Sequence, residues 1–308
     1  VEPQYDLLCC PHDHFWPLTD DGGGLRCPRC DREYPVRDGY VSFLTPEQMS
    51  EQDRVEQAQR DAESSWYDAM FEGYTNAVEV PTAVRRVGHP EGPLLDAGCG
   101  TGRITEALLR LGQPVVAVDY SGACLRRMLD RTAGAPVVAV QADLRSLPVR
   151  SGSIHGATCI EVYSQLRGWE FRDRFLAELH RVMAAGAALS VSAFNYNLLF
   201  RAWKLAGNDG AREGEHMLGG DYYYFRFTRE EFRRELATHF EVEEVTGVRN
   251  IPARSLAAGV RKLGAARAAD RFMDFMVERG HKADYLLERT PVSWAAGFFW
   301  LAKAVKRP

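Results

Sequence analysis

Apolar residues fall along this chain in short runs separated by stretches of helical spacing. Leu94-Leu95, with Ala97 beyond an intervening acid, run into Gly98-Cys99-Gly100-Thr101-Gly102 and then into the helical pattern Ile104, Ala107, Leu108 and Leu111. Further runs follow at Val115–Val118, Val137–Val140, Ile154–Tyr163 and Leu189–Asn195. Continuous apolar runs of this length read as parallel strands buried on both faces. Between the last two, Phe171–Met183 has the pattern of an amphipathic helix and Ala185-Gly186-Ala187 reads as a turn. Downstream, Thr228 caps a glutamate-rich helix start, Phe240–Val245 reads as a strand, residues 253–288 as helix, and Trp294–Lys303 as a closing strand. Strands alternating with helices predict an α/β fold, a doubly wound sheet of about seven strands.

The turn after the first strand carries the chemistry. Glycines at alternate positions let the backbone bend sharply and approach a ligand, and the free amides of the following helix start face it. The dinucleotide fingerprint G-x-G-x-x-G fails here, because its third glycine falls on Arg103 or Thr105. Counted from Asp96 as D-x-G-x-G-x-G, the segment instead resembles the first motif of the class I S-adenosylmethionine-dependent methyltransferases, whose fold is Rossmann-like. That cofactor is cationic and carries no phosphate, so an acid suits the turn. The resemblance covers roughly residues 60–250 and the last strand. It implies that Asp96, Gly98, Gly100 and Gly102 bind cofactor, that Asp119, with Tyr120 beside it, accepts the ribose hydroxyls, and that Asp143 and Leu144 flank the adenine. Glu161, the remaining cofactor-binding candidate, falls where such enzymes pass from cofactor contacts to acceptor contacts.

Composition fits one sizeable core with a small accessory unit: 308 residues, 45% hydrophobic. The net charge of −4 argues against a broadly basic nucleic-acid binder. No apolar run approaches membrane-spanning length and no secretory leader pattern opens the chain, so a cytoplasmic location is expected.

Of the seven cysteines, Cys99, Cys124 and Cys159 sit among apolar residues and read as buried thiols. The other four cluster near the start. Cys27-Pro28-Arg29-Cys30 is a two-residue knuckle, and Cys9-Cys10-Pro11-His12-Asp13-His14 offers the facing half of a ribbon. A chain of about 40 residues has too little core to hold itself, and two knuckles around tetrahedral zinc fix it. The segment resembles the N-terminal zinc ribbon of RlmA-type rRNA guanine methyltransferases. In C-P-x-C register Cys10 is the first ligand and the second falls on Asp13 rather than cysteine, so the fourth ligand comes from His14, His12, Asp13 or Cys9. The favoured set is Cys10, His14, Cys27 and Cys30, since histidine completes Cys₃His zinc sites well.

Three units are therefore expected: a zinc ribbon at 1–45, a helical linker and lid at 46–90, and a methyltransferase domain at 91–308 with 196–227 inserted as a substrate-covering cap. Tyr67, in a segment resembling the lid of small-molecule methyltransferases, and His216, a general-base candidate in the insertion, are the catalytic candidates. No D/N-P-P-Y/F motif or Pro-Cys pair follows the fourth strand, which discounts amino-group and cytosine-carbon DNA methyltransferases. No acid set for a catalytic magnesium is evident. The expected function is methyl transfer to oxygen, nitrogen or carbon of a small-molecule acceptor, in secondary metabolism such as natural product biosynthesis. An rRNA guanine methyltransferase is the second reading, and a catalytically silent cofactor-binding partner protein the third.

Overall fold

The structure is a computed structural model and describes residues 5–20, 22–44, 49, 54–55, 57–62, 64–65, 73–214 and 223–307. The chain opens with four short strands: β1 (Thr19–Asp20), β2 (Gly24–Arg26), β3 (Glu33–Arg37) and β4 (Tyr40–Ser42). Helix α1 (Tyr74–Val87) leads to β5 (Leu94–Ala97), whose four residues are all buried, as a strand covered on both faces requires. There follow α2 (Arg103–Leu109), β6 (Val115–Asp119), α3 (Gly122–Arg131), β7 (Val137–Gln141), β8 (Ile154–Cys159), α4 (Trp169–Val182) and β9 (Met183–Phe194).

Residues 196–227 hold α5 (Leu198–Leu205) and the antiparallel pair of β10 (Glu213–Gly214) with β11 (Tyr224–Phe225). The chain closes through α6 (Arg229–Leu236), β12 (Glu241–Val248), α7 (Ala253–Lys262), α8 (Ala266–Phe275), α9 (His281–Glu288), α10 (Pro291–Ala296) and β13 (Phe299–Val305). The expected cap at Thr228 is a full capping box with Glu231.

Among the described residues one sheet runs β1-β2-β3-β4-β7-β6-β5-β8-β9-β13-β12. Its last seven strands are the doubly wound sheet read from the sequence, parallel from β7 to β9 and antiparallel at β13 and β12. The sheet is longer than about seven strands because β4 pairs in parallel with β7, Tyr40 to Ser42 against Ala139 to Gln141, so the ribbon continues the edge. Core packing is continuous too, with Leu8, Tyr34 and Phe43 in one buried cluster with Val138, Leu147 and Val149.

Two boundaries differ from the sequence reading. Ala185-Gly186-Ala187 lies inside β9, with Gly186 at φ 77 and its amide bonded to Lys306 O, so the strand begins at Met183. Trp294 lies in α10, and the closing strand starts at Phe299. The helical stretch 253–288 is broken after α7 at Leu263-Gly264-Ala265, where Gly264 takes φ 81.

Candidate functional site

The carboxyl ends of β7, β6, β5 and β8 lie side by side, and the residues just beyond them line one cavity. In strand order these are Ala142, Asp143 and Leu144; Asp119 and Tyr120; Gly98 and Gly100; Ile160, Glu161 and Val162. Ligands of open α/β sheets bind at this edge, outside the carboxyl ends of the strands.

The glycine turn is shaped by contact as well as by torsion. Gly98 has φ 78, and a Cβ there would come within 2.3 Å of the Val162 side chain, so the turn after β5 and the loop after β8 close on each other only without a side chain at 98. Asp119 holds the turn from the other side. One carboxylate oxygen accepts the Gly100 N–H at 2.7 Å and the other the Ser121 N–H at 2.9 Å. Burial raises the Asp119 pKa against the pull of those two amides.

Seven of the nine candidate cofactor residues line the cavity: Gly98, Gly100, Asp119, Tyr120, Asp143, Leu144 and Glu161. Asp96 and Gly102 lie behind it. Asp96 is buried, its oxygens accepting the hydroxyls of Thr105 at 2.6 Å and Thr158 at 2.8 Å, and burial pushes its pKa up to about 6. It ties the turn to α2 and β8. Gly102 has φ 88 and faces Met128, whose Cγ a Cβ would approach to 2.5 Å, so it serves the packing of α2 on α3. Asp143 accepts the Arg145 amide and guanidinium Nε, both at 2.7 Å, and that guanidinium stacks on Phe171, 4.5 Å from the ring centroid. Both residues join the cavity wall.

Residues between 57 and 64 lie over one side of this cavity, and the sequence singled out none of them. Arg60 and Ser64 line it. Arg60 donates to Gln165 Oε1 at 2.8 Å, Gln57 donates to Tyr120 O at 3.2 Å, and Asp61 accepts from the Ser121 hydroxyl and the Ala123 amide. The segment thus bridges the loop after β6 and the loop after β8. A lid is expected across 46–90 with Tyr67 as its named residue, but polar residues at helical spacing carry no signal for which of them make such a bridge. Tyr67 and His216, the catalytic candidates, lie outside the described residues.

The ribbon brings Cys10, Asp13, Cys27 and Cys30 together, with one donor atom of each within 4.8 Å of all the others. Cys10 Sγ lies 3.6 Å from Cys30 Sγ, and Cys27 Sγ lies 3.8 Å from Asp13 Oδ1. The edge of a tetrahedron with zinc–sulfur arms of about 2.3 Å is roughly 3.8 Å, so the donor set fits zinc. The Tyr34 hydroxyl, buried 3.1 Å from Cys10 Sγ, supports the site from outside.

His14 does not join it, which corrects the favoured set. The two knuckles have the same backbone: the His14 amide bonds Cys10 O at 2.8 Å as the Asp31 amide bonds Cys27 O at 2.9 Å, and His14 (φ 54) and Asp31 (φ 64) share the left-handed conformation. Asp13 therefore stands where Cys30 stands, and His14 where Asp31 stands. The His14 pKa is lowered by burial and by the Arg181 guanidinium. Cys9 also turns to Arg181, with burial pushing its thiol up to about 11. His12 lines a neighbouring cavity with Phe43, Tyr120 and Asp143.

Residues 95–191 match the family model described as a methyltransferase domain, and residues 5–39 match that of Trm112p-like protein. The first match runs from β5 into β9 and the second covers the ribbon. Over 106 residues the chain is 34% identical to the demethylmenaquinone methyltransferase of Thermobifida fusca (strain YX), 33% of this chain and 44% of that protein. The chain thus spans less than half the length of this curated relative.

Two solved structures share the fold. One is a chain from the complex between the Haloferax volcanii Trm112 methyltransferase activator and a methyltransferase: TM-score 0.55, 16% identity, 81% of this chain and 98% of that one. The other is the Burkholderia thailandensis 1,6-didemethyltoxoflavin-N1-methyltransferase, solved with 1,6-didemethyltoxoflavin and S-adenosylhomocysteine: TM-score 0.51, 18% identity, 86% of this chain and 94% of that one. In this domain the methyltransferase fold and the metal site share one wall, because Cys9 N bonds Pro148 O, Arg150 N bonds Leu7 O and the Ser146 hydroxyl bonds Pro11 O. No helix among the described residues is long and apolar enough to cross a membrane.

Proposed function

We propose that the protein transfers a methyl group from S-adenosylmethionine to an oxygen, nitrogen or carbon atom of a small-molecule acceptor, in secondary metabolism. The observation that carries this reading is the single cavity whose lining, taken in strand order, presents Asp143 and Leu144, then Asp119 and Tyr120, then Gly98 and Gly100, then Glu161. In that order Leu144 and Tyr120 would hold the adenine, Asp119 the ribose and the turn at Gly98 the methionine portion. The bound cofactor supplies an electrophilic methyl group on a good leaving group. The chain's residues align the two reacting centres and exclude water. Cys10, Asp13, Cys27 and Cys30 would hold zinc, which fixes the ribbon against residues 141–150.

Similarity to relatives that act on demethylmenaquinone and 1,6-didemethyltoxoflavin supports a small acceptor. The Trm112p-like ribbon is the observation that favours the second reading, rRNA. The test is to incubate the protein with methyl-labelled S-adenosylmethionine and separated low-mass and rRNA fractions of its source cells. Label in a low-mass compound is expected. Label in rRNA would replace the acceptor class, and binding of cofactor with label in neither fraction would make the protein a silent partner.

A further inference from the structure

Glu161 stands just beyond the carboxyl end of β8 in the cavity wall, in a constrained setting. It is a non-glycine residue at φ 63, its amide donates to Ser192 Oγ at 2.7 Å, and its side chain is 5% exposed. Around its carboxylate stand Glu79 from α1, Arg103 from the start of α2 and Arg249 from just beyond β12. Arg103 spans the two acids, 3.1 Å from Glu79 Oε2 and 3.2 Å from Glu161 Oε2, and also reaches Asn76 Oδ1 at 3.3 Å. Arg249 spans their other oxygens, 3.1 Å from Glu79 Oε1 and 3.6 Å from Glu161 Oε1. Among the described residues, Glu79 Oε2 and Glu161 Oε1 are buried with no hydrogen-bond partner of good geometry. A backbone held in a sparsely populated conformation and a buried carboxylate left short of partners are both costly, and such features collect at functional sites.

We propose that the Glu79–Glu161 pair is a proton-holding site matched to the charge on the cofactor's sulfur, and that it receives the acceptor's proton during methyl transfer. This inference rests on the methyltransferase reading. With both acids ionised, two carboxylates offset two guanidinium groups. With one proton on the pair, the two guanidinium charges face one carboxylate, and the group carries a net positive charge. Burial, then the neighbouring Glu79, pushes the Glu161 pKa up to about 8, with Arg103 and Arg249 opposing, so near neutrality the empty site holds that proton. A sulfonium in the cavity favours the ionised pair and drives the proton off. When transfer occurs, the acceptor atom bonds the methyl carbon, the carbon–sulfur bond breaks with its electron pair remaining on sulfur, and the acceptor's proton passes to Glu161. The charge lost from sulfur and the proton gained by the pair balance.

The test needs no acceptor. S-adenosylmethionine and S-adenosylhomocysteine share every group except the sulfonium methyl, so each is titrated calorimetrically into the full chain in buffers of different ionisation enthalpy. At pH 7 the sulfonium compound should release about one proton on binding, and its affinity should rise up to about tenfold per pH unit until pH 8 and then level off. S-adenosylhomocysteine should release far less and show a flatter profile. In Glu161→Gln the difference between the two ligands should vanish, and Glu79→Gln, whose side chain lies off the cavity, should shrink it. Equal proton release by both ligands in the wild-type protein overturns the proposal, and that comparison stands even if the variants fold poorly. Failure of the wild-type protein to bind either ligand would instead overturn the methyltransferase reading.

Discussion

Removing the metal should weaken cofactor binding, although no metal ligand lines the cofactor cavity. Cys10 is flanked by two residues that bond the loop after β7: the Cys9 amide to Pro148 O at 3.1 Å, and Pro11 O from the Ser146 hydroxyl at 2.8 Å. Two further bonds join the ribbon to the same stretch, Arg150 N to Leu7 O at 2.9 Å and Phe43 N to Gln141 O at 2.8 Å. That stretch contains Asp143, Leu144 and Arg145, one wall of the cavity. A net hydrogen bond is worth about 1 kcal/mol, so losing the two beside the knuckle costs about 2 kcal/mol of loop order, roughly a thirtyfold loss of affinity. If all four go, the loss approaches about 1,000-fold. The assay is titration of S-adenosylhomocysteine into metal-loaded and chelator-stripped protein, with metal content measured in parallel. Affinity within about twofold after complete stripping would refute the coupling, since the summed bonds predict at least tenfold.

Other outcomes follow from single contacts. Asp13→Ala should sharply lower metal retention while His14→Ala leaves it unchanged; the reverse ranking, by metal analysis after dialysis, would restore the histidine ligand. Gly98→Ala should abolish S-adenosylhomocysteine binding, because the added Cβ would lie 2.3 Å from Val162 and φ 78 is unfavourable for alanine; near-native affinity would show that the turn can shift. Glu288→Gln should destabilise the fold by about 3 kcal/mol, since it leaves the buried Arg86 with only the part-exposed Glu244 carboxylate, 3.5 Å away, and chemical denaturation measures it. Burial raises the Glu288 pKa, but Arg86 and Arg85 outweigh it and hold it below the usual range. A depressed acid contributes stability above its unfolded pKa and loses it as pH falls through the folded one, so the gap between variant and wild type should close in acid.

The strand ends were legible because contiguous residues encode them. An apolar run ending in Asp119, or one breaking into Gly98 and Gly100, declares both the strand and the residue left at its mouth. Burial is less legible. Asp96 belongs to the same motif, yet it faces Thr105 and Thr158, nine and sixty-two residues away, and no local pattern tells a carboxylate that meets ligand from one that braces the turn. A lid is expected across 46–90, but that Gln57, Arg60 and Asp61 make the bridge depends on contacts between segments far apart in sequence and leaves no local mark. The metal site was half visible. Laying Cys10-Pro11-His12-Asp13 on Cys27-Pro28-Arg29-Cys30 puts Asp13 on Cys30, and the repeated left-handed residue after each knuckle is why His14 turns away. Pairing of β4 with β7 left no mark, because the free edge of a parallel sheet looks like any other strand in sequence.

The cavity over β7, β6, β5 and β8 is where S-adenosylmethionine is expected to bind. Calorimetric titration of S-adenosylhomocysteine into the metal-loaded full chain tests it most directly, run beside Asp119→Ala, which removes the acceptor of the Gly100 and Ser121 amides. One molecule should bind per chain, with affinity lost in the variant. No binding to the wild-type protein, or equal binding to the variant, would contradict it.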